Sequence, residues 1–185
     1  MNTVITSREK LLETGRSLVK EKGLSKVSIH LAAMESGVSV GTIYNYFPSK
    51  AALITAIVES IWTDIFHDPG DRRVFEDIEA YITWIYERLR YGDGEYPEFF
   101  TLHSLGFMQG DKADGIRRMH QIWRHISGGF LRALKKDQRI RQDAFNEYLT
   151  AEHLADTLFS LMLAAMIRKD YDPVLVLEII RRSIF

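Results

Sequence analysis

The stretch from Ser39 to Lys50, SVGTIYNYFPSK, gathers five hydroxyls, one side-chain amide and one ammonium within a few turns of chain. Laid on a helix at about 100° per residue, Val40, Ile43 and Phe47 share one face and are expected in the core. Gly41, Thr42, Asn45 and Tyr46 point the other way, with Tyr44 on the flank. Hydroxyl and amide groups suit the phosphate oxygens and base edges of a duplex, and a glycine lets a partner approach the backbone closely. Lys50 opens the next helix, where it adds charge beside a helix N-terminus that is itself an anion site. The same residues also fit a plainer account, in which Tyr44 and Tyr46 pack a junction between helices. On periodicity alone the two accounts stand level.

Other chemistry is thin. His103 lies at helical spacing among Phe99, Phe100 and Phe107, and His120 flanks a face made by Met119 and Trp123. Either imidazole can hydrogen-bond a ligand; either also reads as a satisfied histidine at a packing boundary. The sequence carries no H-x-x-x-H, no paired-carboxylate cluster, no glycine-rich phosphate loop and no serine-centred nucleophile motif. The expectation is a protein without catalytic residues, metal or cofactor, and not an enzyme.

Composition agrees. The 185 residues are 46% hydrophobic and 26% charged, ordinary for a globular chain able to bury a core. Cysteine is absent, which removes disulfides and thiolate metal sites and suits a reducing compartment. The N-terminal MNTVITSREK has no apolar signal core, and the apolar run LMLAAMI (161–167) is far below the ~18 residues of a membrane span. A cytoplasmic location is expected. The net charge of −1 hides an asymmetry: residues 1–50 hold seven Lys/Arg against four acids, the remainder 17 against 21. A basic head on a mildly acidic body suits a polyanionic partner for the head.

The elements that must position these groups read as helices throughout. Residues 7–22 place Leu11, Leu12, Gly15, Leu18 and Val19 on one face, between a Ser7 N-cap and a Gly23 stop. Ser28 caps a short helix that stops at Gly37, and Ser39 caps the next, from Val40 to about Tyr46. Two short helices around a glycine turn make a helix-turn-helix, with Ala32 and Ala33 small enough for a close crossing. Residues 49–66 align Leu53, Ile54, Ile57, Val58, Ile61 and Ile65. Residues 71–90 step through Phe75, Ile78, Ile82, Ile85 and Leu89. Further helices are expected over 97–108, 112–136 and a closing pair around the Tyr171–Pro173 turn, with loops at 67–71, 91–97 and 109–115. Trp84 lies off the main apolar face of its helix, so that helix buries two sides. Gly128 and Gly129 permit a bend or a close crossing in theirs. The fold class is all-α.

The run GVSVGTIYNYFPSKAAL closely resembles the DNA-binding signature of TetR-family transcriptional regulators, over about residues 7–66. The resemblance implies an N-terminal three-helix DNA-binding domain with a helix-turn-helix (1–50, with 49–66 connecting). It implies also a helical ligand-binding and dimerisation domain (67–185), and repression relieved by a small molecule. Carried across by position, it assigns DNA contact to Ser28, Ser39, Gly41, Thr42, Tyr44, Asn45, Tyr46 and Lys50. Ala32, Ser36 and Val40 depart from the usual pattern; Val40 stands where a polar or basic residue is common, so one contact is missing there.

In the body, the resemblance turns Tyr81, Trp84, Phe100, His103, Phe107, His120, Trp123 and Met162 into a candidate effector pocket. The last two helices are apolar around most of their circumference and must be covered on every side. Two copies packed about a two-fold axis satisfy this, as does a buried hairpin within one subunit; the resemblance favours the homodimer. Its expected interface residues are Leu154, Leu158, Met162, Leu177 and Ile180. The reading is a ligand-responsive repressor that binds a palindromic double-stranded operator as a homodimer and is released by a small apolar or aromatic effector. The alternative is a helical small-molecule-binding protein or enzyme with a vestigial N-terminal motif.

Overall fold

Four serines set the registers of the first four helices. Ser7 Oγ accepts the Lys10 N–H and opens α1 (Arg8–Lys22), which ends at Gly23 with φ 81°. Ser28 caps α2 (Ile29–Glu35) through the Leu31 N–H, Ser39 caps α3 (Val40–Tyr46) through Thr42, and Ser49 caps α4 (Lys50–Ile65) through Ala52. Each such cap satisfies a backbone donor that the helix cannot, worth ~1 kcal/mol. The computed structural model describes residues 6–67, 70, 72–100 and 113–185, with side chains for all of these except Arg72 and 113–122. The chain continues with a 3-10 turn (Arg72–Phe75), then α5 (Ile78–Glu95), α6 (Ala113–Lys136), α7 (Ala151–Arg168) and α8 (Val174–Ile184). Among the described residues there is no strand, and no helix long and apolar enough to cross a membrane.

The head, α1 to α3, closes on the first half of α4. The α1 residues buried are those the periodicity marks, Leu11, Leu12, Gly15, Leu18 and Val19. Gly15 is needed there: a Cβ on it would lie 2.5 Å from Ile57 of α4. The body packs α5 against α6, and α6 along α7.

Two boundaries differ from the sequence expectation. The helix expected over 71–90 is broken before Ile78, because the Asp77 carboxylate accepts the Ala80 N–H and caps a new start. The loop expected at 91–97 is instead helical to Glu95. Gly92 lies against Ile65 and Phe100, where a Cβ would come within 2.8 Å of each, so a close crossing with α4 overrides glycine's poor helix propensity. Most of the expected 97–108 helix lies outside the described residues.

The body is locked by one buried carboxylate. Asp137, just past α6, accepts the Ile78 N–H at the start of α5 (3.1 Å) and the Arg139 guanidinium (2.6 Å). Arg139 reaches Asp77 and Glu79 as well, and Arg181 of α8 joins at Glu79 (2.6 Å). Burial alone would raise the Asp137 carboxyl, but the hydrogen bonds from Arg139 and from Ile78 outweigh it and hold it below its ordinary value. A folded-state value below the unfolded one adds stability at neutral pH, and that contribution is lost as pH falls below ~4 and through the folded value. Asp137→Asn is therefore expected to cost about 1–3 kcal/mol at pH 7. Its gap from the parent should close in acid. Denaturant titrations at both pH values check this, and a gap constant with pH would remove Asp137 from the role.

Candidate nucleic-acid interface

The turn between α2 and α3 is made by Gly37 at φ 64°, with the Val38 N–H returning to the Ala33 carbonyl (3.0 Å). Ala32 and Ala33 are buried in the crossing, as their size predicts. On α3, Ile43 and Phe47 are buried and Val40 packs against the core. Gly41, Tyr44, Asn45 and Tyr46 are exposed, Thr42 is half-buried, and Lys50 is exposed at the first position of α4. One continuous outer surface thus carries an amide, hydroxyls and an ammonium.

Gly41 is the informative position. A Cβ there would meet only Ser39 Oγ, at an ordinary 3.6 Å, and its backbone is not in the left-handed region. Neither packing nor conformation asks for glycine, unlike Gly15, Gly92 or Gly37. Its lack of a side chain leaves backbone accessible to something outside the chain.

Hydrogen bonds refine the other assignments. The Ser39 and Thr42 hydroxyls bond one another at 2.9 Å, while Ser39 also caps the helix. Ser28, half-buried, spends an oxygen lone pair on the Leu31 N–H and so orients α2. Tyr46 departs most from expectation: its hydroxyl donates to the Thr6 carbonyl (2.8 Å), so its proton is committed to the chain's own start and not to a phosphate. Arg8 lies over the Phe47 ring at 5.5 Å, a second tie between the start of α1 and the end of α3. Neither tie leaves a signal in the sequence, because the partners are some 40 residues apart.

Residues 11–57 match the family model for "Bacterial regulatory proteins, tetR family". The N-terminal segment is a TetR-family domain. Within it the chain is similar to the uncharacterized HTH-type transcriptional regulator YvdT of Bacillus subtilis (strain 168), with 46% identity over 55 residues. That match covers 30% of this chain and 28% of the relative, so the chain spans little more than a quarter of that relative's length. The whole described fold is similar to a transcriptional regulator of the TetR/AcrR family from Thermobifida fusca YX-ER1, at 18% identity and TM-score 0.61, covering 90% of this chain and 86% of that one. It is similar too to BioQ crystallised with its double-stranded DNA operator, at 16% identity and TM-score 0.55, covering 89% and 86%. At these identities the likeness is one of fold.

Behind the TetR-family head, the expected effector residues divide. Tyr81 and Trp84 of α5 come together (5.6 Å between rings), joined by Phe75 and by Phe66 at the end of α4. Phe100 is buried against Trp62 and Phe99, and Trp62 stacks on Phe66 at 5.7 Å, so both groups form one aromatic seam between α4 and α5. Trp123 lies apart, edge-on to Phe159 of α7 (5.9 Å). Met162 is fully buried. His103 and Phe107 lie outside the described residues, as does the side chain of His120. Trp62, Phe66 and Phe75 are not among the expected pocket residues, although Phe75 is on the expected apolar face of its helix. The first two are spaced i and i+4 on α4, a signal that could have found them.

The expected dimer contacts need correction. Leu154, Leu158, Met162 and Ile180 are buried inside the subunit, and Leu177 is half-buried. They cannot offer surface to a second copy, because α6 and α5 already cover that side of the pair. The apolar side chains that α7 and α8 leave exposed are Ile167, Val174, Leu175 and Ile179.

Proposed function

We propose that the chain is a TetR-type transcriptional regulator that binds double-stranded DNA through the outer surface of α3 and the start of α4. The observation that carries this reading is Gly41, a helical glycine that the fold does not require, set among exposed Tyr44, Asn45 and Lys50. Likeness to BioQ, a protein crystallised on its operator, supports it. In this reading residues 1–50 are the DNA-binding domain and 67–185 the effector and dimer domain, joined by α4, in a cytoplasmic protein. Two copies meet through Ile167, Val174, Leu175 and Ile179, placing two α3 helices in successive major grooves of a palindrome, about one helical turn apart. A small apolar or aromatic effector enters beside Tyr81, Trp84 and Phe100 and relieves repression. Trp123, His103, Phe107 and His120 remain candidates for the same site.

The test separates stability from binding. Gly41→Ala removes a poor helix former and should stabilise the protein by up to about 1 kcal/mol. It should at the same time weaken binding to a duplex selected from a random pool by the parent protein. Unweakened binding would remove the surface from contact with DNA. Lys50→Ala should lower the magnitude of the salt slope by about one unit, as expected for one phosphate contact. Asn45→Ala should change preference among sequences by roughly 1–3 kcal/mol if the amide reads a base; a loss equal on all sequences assigns it to the backbone.

A further inference from the structure

We propose that Tyr96 is a positioning residue for the DNA-reading head: it holds α4 by its hydroxyl and α1 by its ring, and so fixes the head on the body. Tyr96 follows α5 directly and is fully buried. Its hydroxyl donates to Asp64 Oδ2 in the last turn of α4 (2.8 Å). Lys20 of α1 stands over its ring, 5.0 Å from the centroid, and pairs with the neighbouring Glu95 (2.5 Å). One side chain therefore touches the head helix and the connecting helix at once.

The surroundings make the α4 attachment stiff. The last carbonyls of a helix lack intrahelical partners and carry its negative end. Arg88 of α5 donates to two of them, Asp64 O and Ile65 O, and lies over the Tyr91 ring at 4.1 Å. Tyr91 donates to the same Asp64 carboxylate (3.3 Å). The Tyr96 phenol is protonated at neutral pH and donates in this pair; burial, with Asp64 beside it, pushes its hydroxyl further above its ordinary value. Arg88 holds the end of α4 itself and does not reach α1. Lys20, on Tyr96 and Glu95, ties α1 to the body away from the α4 axis and so adds resistance to turning. A tyrosine present only to fill space would serve equally as phenylalanine; here the hydroxyl carries one of the two attachments.

The absence of cysteine makes the test clean. Ser25→Cys in the head and Tyr148→Cys in the body, both exposed, take nitroxide labels, and pulsed electron resonance reads their distance in labelled chains diluted with unlabelled ones. The expected result is one narrow distribution in the parent and a broadened one in Tyr96→Phe and in Lys20→Met, with secondary structure intact. Lys20→Arg, which keeps both the ion pair and the ring contact, should restore the narrow distribution. Affinity for a duplex selected by the parent should also move, by roughly 5-fold or more, the low end of ordinary coupling between sites. An unchanged distribution in a folded Tyr96→Phe, or in Lys20→Met, overturns the proposal, and the surface variant Lys20→Met decides it should Tyr96→Phe lose its fold. The DNA arm rests on the regulator reading and the distance arm does not. A parent that binds no duplex defeats only that reading.

Discussion

Leu175→Glu and Ile179→Glu are each expected to yield a folded monomer that has lost operator binding. Both side chains stand well out of the subunit, at 71% and 46% exposure, so a carboxylate there disturbs little within one copy. Surface changes of this kind usually alter stability by less than about 0.5 kcal/mol. In the proposed two-fold dimer the same residue recurs on the facing copy, so one substitution buries a pair of like charges in an apolar contact. Sedimentation should report about the 21.4 kDa of a single chain, with helical content unchanged. One head without its partner loses the avidity of two linked sites, a factor of roughly 10²–10⁴. Leu158→Glu and Ile180→Glu supply the contrast. Their side chains are in the subunit core, so these variants should unfold and not merely dissociate. A Leu175→Glu protein that remains dimeric would place the interface elsewhere.

A large effect on stability is expected from a single methyl group. Gly129→Ala puts a Cβ 1.9 Å from the Tyr81 hydroxyl and 2.3 Å from its ring carbon Cζ. Tyr81 has little room to retreat: it is buried, donates to the Ile126 carbonyl (3.0 Å), and meets Phe130 edge-on at 5.0 Å. Alanine's better helix propensity returns about 1 kcal/mol. Overpacking costs typically 1–3 kcal/mol or more, and a displaced hydroxyl leaves a buried hydrogen bond unmade at about 1–3 kcal/mol. The clash wins, with a net loss of about 1–5 kcal/mol from these terms. Gly128→Ala is the matched control, since its Cβ would meet only the mobile end of Arg132 at 3.4 Å. It should be neutral or stabilising by up to about 1 kcal/mol. In a Tyr81→Leu background the loss at Gly129 should shrink, giving a coupling of about 0.5–3 kcal/mol in denaturant unfolding. Equal effects at the two glycines would refute the close approach of α5 and α6.

Local rules were enough for whatever depends on neighbours within a turn or two. The Ser7, Ser28 and Ser39 caps, the Gly23 and Gly37 stops and the buried stripe of α1 all follow from spacings of three and four and from hydrogen bonds closed inside five residues. The outward face of α3 was legible for the same reason: once Ile43 and Phe47 are placed inside, the helical period places Gly41, Tyr44 and Asn45 outside. What needed the tertiary structure was every question of which partner lies opposite. Periodicity marks α7 and α8 as apolar but cannot say which side α6 covers, and so it could not show that Leu158 and Ile180 lie in the subunit core. It cannot show that Gly92 and Gly129 serve close crossings, that Tyr46 is tied to Thr6, or that Tyr96 bridges Lys20 and Asp64. These contacts join residues tens of positions apart. Their geometry comes from how whole helices pack, which no short window of sequence contains.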